Sequence, residues 1–289
     1  MIVYQPTKWM KVIFSWHGTV LPAVLKPTAW FAVFTFALVL WDKYEYPLPQ
    51  VDPVGHSVLG VVLGLLILFR TNSSNERFWE GRKLWGQLVN SSRNLARAGT
   101  AYTGDARDLA DLIAGYVYAI KHNLRDERDL PDVQRFLSPE QFQRIASAGN
   151  PPALAAGFLS QWIATRVADG RLQPILAAEM ERQVATLVDC QGGCERIKKT
   201  PIPFVYAVHI KHLIVLYVGT LPFVMVDKLG WTAPVAVAIM AFGLLGVQEA
   251  GLEVEDPFNY DPNDLPLDEF CATIARDVAA ATQGRTSKT

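Results

Sequence analysis

A chain of 289 residues is long enough for one or two ordinary domains. Half of its residues are hydrophobic and only 19% are charged, against about a quarter charged in soluble domains, which excludes a disordered chain and argues against an ordinary soluble enzyme. The formal charge is −1, from 27 basic and 28 acidic residues, so bulk electrostatics give nucleic acid no reason to bind, and three cysteines cannot make a disulfide framework.

The opening stretch, "MIVYQPTKWMKVIFSW", carries Lys8 and Lys11 but is broken by polar and aromatic residues and has no small-residue cleavage site, so it does not read as a signal peptide. Residues 19–41 form the first apolar segment, interrupted once at Lys26-Pro27 and ending in "TAWFAVFTFALVLW". Residues 55–69, "GHSVLGVVLGLLILF", form the second. A helix crossing a bilayer core needs roughly 20 apolar residues, so the first qualifies and the second is short. No Pro or Gly interrupts residues 65–80, however, and helical spacing persists to residue 97. The sequence therefore predicts a single helix of about 40 residues, roughly 60 Å long, apolar in its first half and charged in its second.

Residues 71–200 carry 17 basic and 15 acidic residues and have the character of a helical soluble body. Leu109, Leu112, Ile113, Tyr116, Val117, Ile120 and Leu124 recur at three and four residues, which gives one apolar helix face. Ser138-Pro139-Glu140 reads as an N-cap, a proline at the first helical position and an acid in the first turn. Ile175, Leu176, Met180, Val184, Leu187 and Val188 make another amphipathic face, which Gly192-Gly193 is expected to end.

Two more apolar segments follow, at residues 202–226 and 229–247. The whole reads as an all-α, polytopic membrane protein with four transmembrane helices and a large helical cytosolic domain. Its parts are an N-terminal segment and first hairpin (1–70), the helical body (71–200), a second hairpin (201–250) and an acidic segment with the tail (251–289). Trp9, Trp16, Trp30, Trp41 and Trp231 flank spans as an aromatic belt would. The two hairpin loops contain one lysine each, Lys43 and Lys228, whereas residues 71–200 hold 17 basic residues, the N-terminal side has Lys8, Lys11 and Lys26, and the tail has Arg276, Arg285 and Lys288. Positive-inside logic then places both termini and the body in the cytoplasm of a bacterial inner membrane.

Along the long helix Val61, Leu65 and Phe69 recur every fourth residue, and Gly60 and Gly64 provide a small-xxx-small face. Such a stripe either packs against another span or, in a symmetric oligomer, forms apolar rings around an axis that gate by dewetting.

Three blocks narrow that choice: "RTNSSNERFWEGRKLWGQLVNSSRNLAR", "PIPFVY" and "EVEDPFNYDPNDLPLD". Together they resemble the bestrophin family, specifically its bacterial branch. The resemblance implies a homopentameric, passive ion channel with one axial pore through membrane lipid, conducting small monovalent ions. By position, Val61, Leu65 and Phe69 match its hydrophobic neck, with the register anchored at Arg77-Phe78-Trp79, and Ile175 in "LQPIL" falls at its cytosolic exit. Asn72, Ser73 and Glu76 follow the neck, where a wide vestibule is expected. A ring of Glu76 carboxylates there would favour cations, and the aliphatic Leu65 leans the reading the same way, although the family also contains chloride channels. Glu80 is expected to pair with Arg77 or Lys83, three residues away.

The last block places seven acids and no base between Glu253 and Glu269. Ca²⁺ takes six to eight oxygens, and animal bestrophins form a calcium clasp in the corresponding segment. Glu253, Glu255, Asp256, Asp261 and Asp264 are thus candidate Ca²⁺ ligands, against the alternative of a solvated packing segment; no cofactor is required. Cys190 and Cys194 lack the further ligands zinc needs. No nucleophile with a base and no phosphate loop stands out, so the chain is not expected to be an enzyme. The rival readings are a secondary transporter, for which Pro203 and Pro222 are the only hint, and a non-conducting membrane scaffold.

Overall fold

The structure, a computed structural model, describes residue 2 and residues 7–49 and 51–282, without the side chains of Trp9 and Lys11. The tail's Arg285 and Lys288 lie outside the described residues. Helix is the only regular secondary structure among the described residues. The chain folds into two compact units, one comprising Met1–Phe78, Pro201–Pro257 and Asp261–Asp264, the other Trp79–Thr200, Phe258–Tyr260 and Leu265–Thr289.

The first unit contains α1 (Trp9–Ile13), α2 (Leu21–Tyr44), the beginning of α3 (Pro53–Thr103), α9 (Phe204–Leu229) and α10 (Ala233–Glu253). Among the described residues three helical stretches are long and apolar enough to cross a membrane: Leu21–Tyr44, Pro53–Thr103 and Phe204–Glu253. The third is two helices, because the chain turns through a short 3₁₀ segment at Gly230–Thr232. Gly230 sits there at φ 50°, a left-handed conformation that costs a glycine little. α10 packs on both α2 and α9. Their shared core joins Phe31, Leu63, Ile67, Ile210, Ile214, Tyr217, Val218, Leu221, Val237 and Ala241. Trp16, Trp30, Trp41 and Trp231 are all exposed, as belt residues would be.

The second unit is organised around α4 (Arg107–Leu124), against which α7 (Pro151–Ala168) and α11 (Leu267–Thr282) both pack. That double coverage buries Leu109, Leu112, Ile113, Tyr116, Val117, Ile120 and Leu124. The Tyr116 hydroxyl donates to the Leu187 carbonyl at 2.9 Å, tying α4 to α8 (Pro174–Lys199). Two short helices, α5 (Pro131–Gln134) and α6 (Pro139–Ala146), complete the unit. α6 opens on a full capping box, in which Ser138 and Gln141 bond reciprocally, with Pro139 at the first position.

The structure differs from expectation in several places. α3 is 51 residues long, not about 40. α8 runs straight through Gly192-Gly193 to Lys199. A Cβ on Gly193 would stand 2.8 Å from Leu84, so this glycine provides close packing between helices instead of a stop. Helices α7 and α11 were not anticipated. Glu80 pairs with Arg196, not with Arg77 or Lys83.

Candidate functional site: the α3 stripe and the segment after α10

Nothing in the sequence of α3 stops it: its only proline is Pro53, at the first position, where a missing N–H costs nothing. The helix then presents two unlike faces. Leu63, Ile67, Arg70 and Ser74, spaced by three and four residues, are buried. On the opposite face Val61 is 66% exposed, Leu65 50% and Phe69 61%. These three apolar side chains would be inside if they belonged to the chain's own core, so packing on a span of the same chain does not account for them. Asn72, Ser73 and Glu76 continue the exposed face one to two turns further. The Ser73 hydroxyl turns back to donate to the Phe69 carbonyl at 3.1 Å.

Ile175 is the second residue of α8 and is 76% exposed. It belongs to the second unit, whereas the stripe belongs to the first. His209 and His212 are exposed on α9. His56 instead packs on Tyr217, with ring centroids 4.1 Å apart and Nε2 3.1 Å from the Tyr217 carbonyl oxygen.

The acidic segment is tied down by specific contacts. Glu255 Oε2 accepts from Arg70 Nη2 at 3.1 Å, and its Oε1 accepts from the Ile202 amide at 3.3 Å. Glu253 accepts from Asn263, which also donates to the Gly18 carbonyl. Asp264 accepts from the Asp261 amide and is buried with its Oδ1 unpartnered. Burial pushes the Asp264 carboxyl up to about 7, and the nearby Asp261, Asp256 and Glu253 carboxylates add to the shift. Among the described residues no three His, Cys, Asp or Glu side chains converge as a metal-holding group. Of the Ca²⁺ ligands drawn from the sequence, Glu253, Glu255 and Asp264 accept hydrogen bonds from protein groups, and Glu255 is also ion-paired. Cys190 and Cys194 are buried thiols, the former pushed up to about 11 by that burial.

Arg70 is the residue sequence reading missed. It is 2% exposed and lies immediately after Phe69. Two signals pointed to it: a lone basic residue directly following an apolar run, and a compact acidic group at the end of a later one.

The family model described as "Bacterial/Fungal Bestrophin protein" matches residues 1–280. A "voltage-dependent anion channel-forming protein" of Nostoc sp. is 36% identical over 279 residues, covering 93% of this chain and 90% of that protein. A protein of the same description from Escherichia coli K12 is 30% identical, covering 96% and 93%. The structure of a bacterial bestrophin homolog from Klebsiella pneumoniae superposes with a TM-score of 0.84 at 26% identity, covering 91% of this chain and 99% of that one. With the exposed apolar stripe, the helical architecture and these likenesses in hand, the chain belongs to the bestrophin family, a family of ion channels and not of enzymes.

Proposed function

We propose that this protein is a homopentameric bestrophin-type channel of the bacterial inner membrane, four-span and passive, that conducts small monovalent ions. The observation that carries the reading is the exposure of Val61, Leu65 and Phe69 on a helix long enough to span a bilayer and continue beyond it. Five copies facing one axis would turn each position into a ring. Such rings have no charge, so they oppose ions through the cost of dehydration, which falls as the constriction widens and wets. Below them Asn72, Ser73 and Glu76 offer polar groups to rehydrating ions, and Ile175 forms the exit.

An uncharged neck does not select by sign. Leu65 and a Glu76 ring lean toward cations, while the relatives' description as anion channel-forming leans the other way. Reversal potentials in asymmetric NaCl report the sign directly.

Purified protein in planar bilayers tests the reading. Single-channel steps support a pore, saturable coupled uptake indicates a transporter, and silence indicates a scaffold. Leu65→Ala and Phe69→Ala are expected to raise open probability or conductance several-fold. Unchanged currents from normally assembled variants overturn the neck.

A further inference from the structure

One residue advances an α-helix by about 100°, which carries Arg70, the residue after Phe69, away from the stripe and into the packed face of α3. There it is 2% exposed, next to the span core. Its Nη2 meets Glu255 Oε2 at 3.1 Å, while Nε and Nη1 are buried without a partner. Glu255 is therefore the carboxylate that compensates this buried cation.

Glu255 lies two residues beyond the end of α10 and is itself held at three points. Its Oε1 accepts from the Ile202 amide at 3.3 Å, in the stretch leading into α9. Its backbone carbonyl accepts from Arg77 Nε at 2.9 Å, two turns below Arg70 on α3. Two neighbouring contacts reinforce the arrangement. The Tyr206 hydroxyl donates to the Leu66 carbonyl at 3.2 Å, and a Cβ on Gly251 would stand 3.2 Å from Thr71 Oγ1. The start of α9 and the end of α10 thus grip α3 from Leu66 to Arg77, on the side next to Phe69 and away from the exposed stripe.

From this geometry we infer that the Arg70–Glu255 pair is a latch that sets the rotation of α3 at the Phe69 level and so holds the neck narrow; the inference rests on the pore reading above. Arg70 and Glu255 are positioning residues, since neither lies on the exposed stripe. A buried ion pair is a directional tie, and losing one partner leaves a charge that must reach water. The solvated groups nearest in sequence, Asn72 and Ser73, are on the stripe face. Whether one charge or both are removed, the directional tie is gone, the rotation of α3 at this level is no longer fixed, and Phe69 is free to leave the axis.

The test uses the full chain reconstituted in planar bilayers, with thermal stability and native mass measured alongside. Glu255→Gln removes the counter-charge. The double variant Arg70→Leu/Glu255→Leu removes both charges, and replacing a buried pair by apolar groups commonly leaves stability unchanged or improved. Both variants are expected to raise open probability several-fold over wild type. The double variant should do so with wild-type assembly and undiminished thermal stability, a split that a merely structural pair would not produce. A double variant that assembles and gates like wild type overturns the latch, and so does one that fails to assemble, since the pair would then serve folding. If wild-type protein is silent the pore reading fails and the latch with it. If Leu65→Ala and Phe69→Ala alter the currents while the double variant does not, the latch alone fails.

Discussion

Side chains that were easy to place from sequence are those whose role is set by spacing along one helix. Val61, Leu65 and Phe69 share a face because four residues make slightly more than a turn, and the structure leaves all three exposed. Partners distant in sequence were not legible. Glu80 finds Arg196 across 116 positions, and Arg70 finds Glu255 across 185. The same holds for Lys121, which is 3% exposed and bonds Asp132 and Asp268, the latter also held by Arg125 at 2.9 Å. Burial alone would raise the Asp268 carboxyl, but hydrogen bonds from Lys121 and Arg125 outweigh it and hold the group below the usual carboxylate range. Burial also raises Asp132, and Lys121 again prevails. A carboxyl lowered in the folded state contributes stability that is present above its unfolded value, about 3.9, and is lost as pH falls through the folded one. Thermal stability is expected to drop below about pH 4, and Asp268→Asn should flatten that acid limb. An unchanged melting profile between pH 3 and 6 would contradict the assignment.

At the scale of elements, the long helix and the apolar helices were readable because composition alone distinguishes them. α8 was misjudged at its end, since two glycines that look like a stop are instead where Leu84 closes on the helix. α7 escaped notice because its run of Ala, Gly and Pro carries little apolar contrast between faces. α11 was masked by the acidic segment preceding it. Yet Leu267, Cys271, Ile274 and Val278 are fully buried, and Arg93 Nε bonds Asp277 at 2.8 Å. α11 is thus an integral layer of its unit. Ile274→Ala removes a side chain with no exposed surface and should cost about 2–5 kcal/mol. Chemical denaturation followed by helical circular dichroism measures it; a loss below about 1 kcal/mol would mean the site collapses around the cavity.

For the molecule as a whole, the low charge fraction is a sum of unlike parts: apolar helices in one unit and a charge-balanced helical body in the other. One chain exposes the α3 stripe together with Trp30, Val33, Leu68, Val235 and Ile239. A bilayer can cover apolar residues on a helix surface, and a helix that runs on into water exposes polar residues such as Asn72, Ser73 and Glu76 whichever way its apolar half faces. The proposed pore places copies of the stripe around one axis, and the subunit count tests that placement. Native mass measurement in detergent should give five times the 32.1 kDa subunit mass. Substituting Leu65 by Ala should leave that mass unchanged, because a ring facing a pore makes few contacts between subunits. A monomer, or a pentamer that dissociates on losing Leu65, would move the stripe from the pore to a subunit interface.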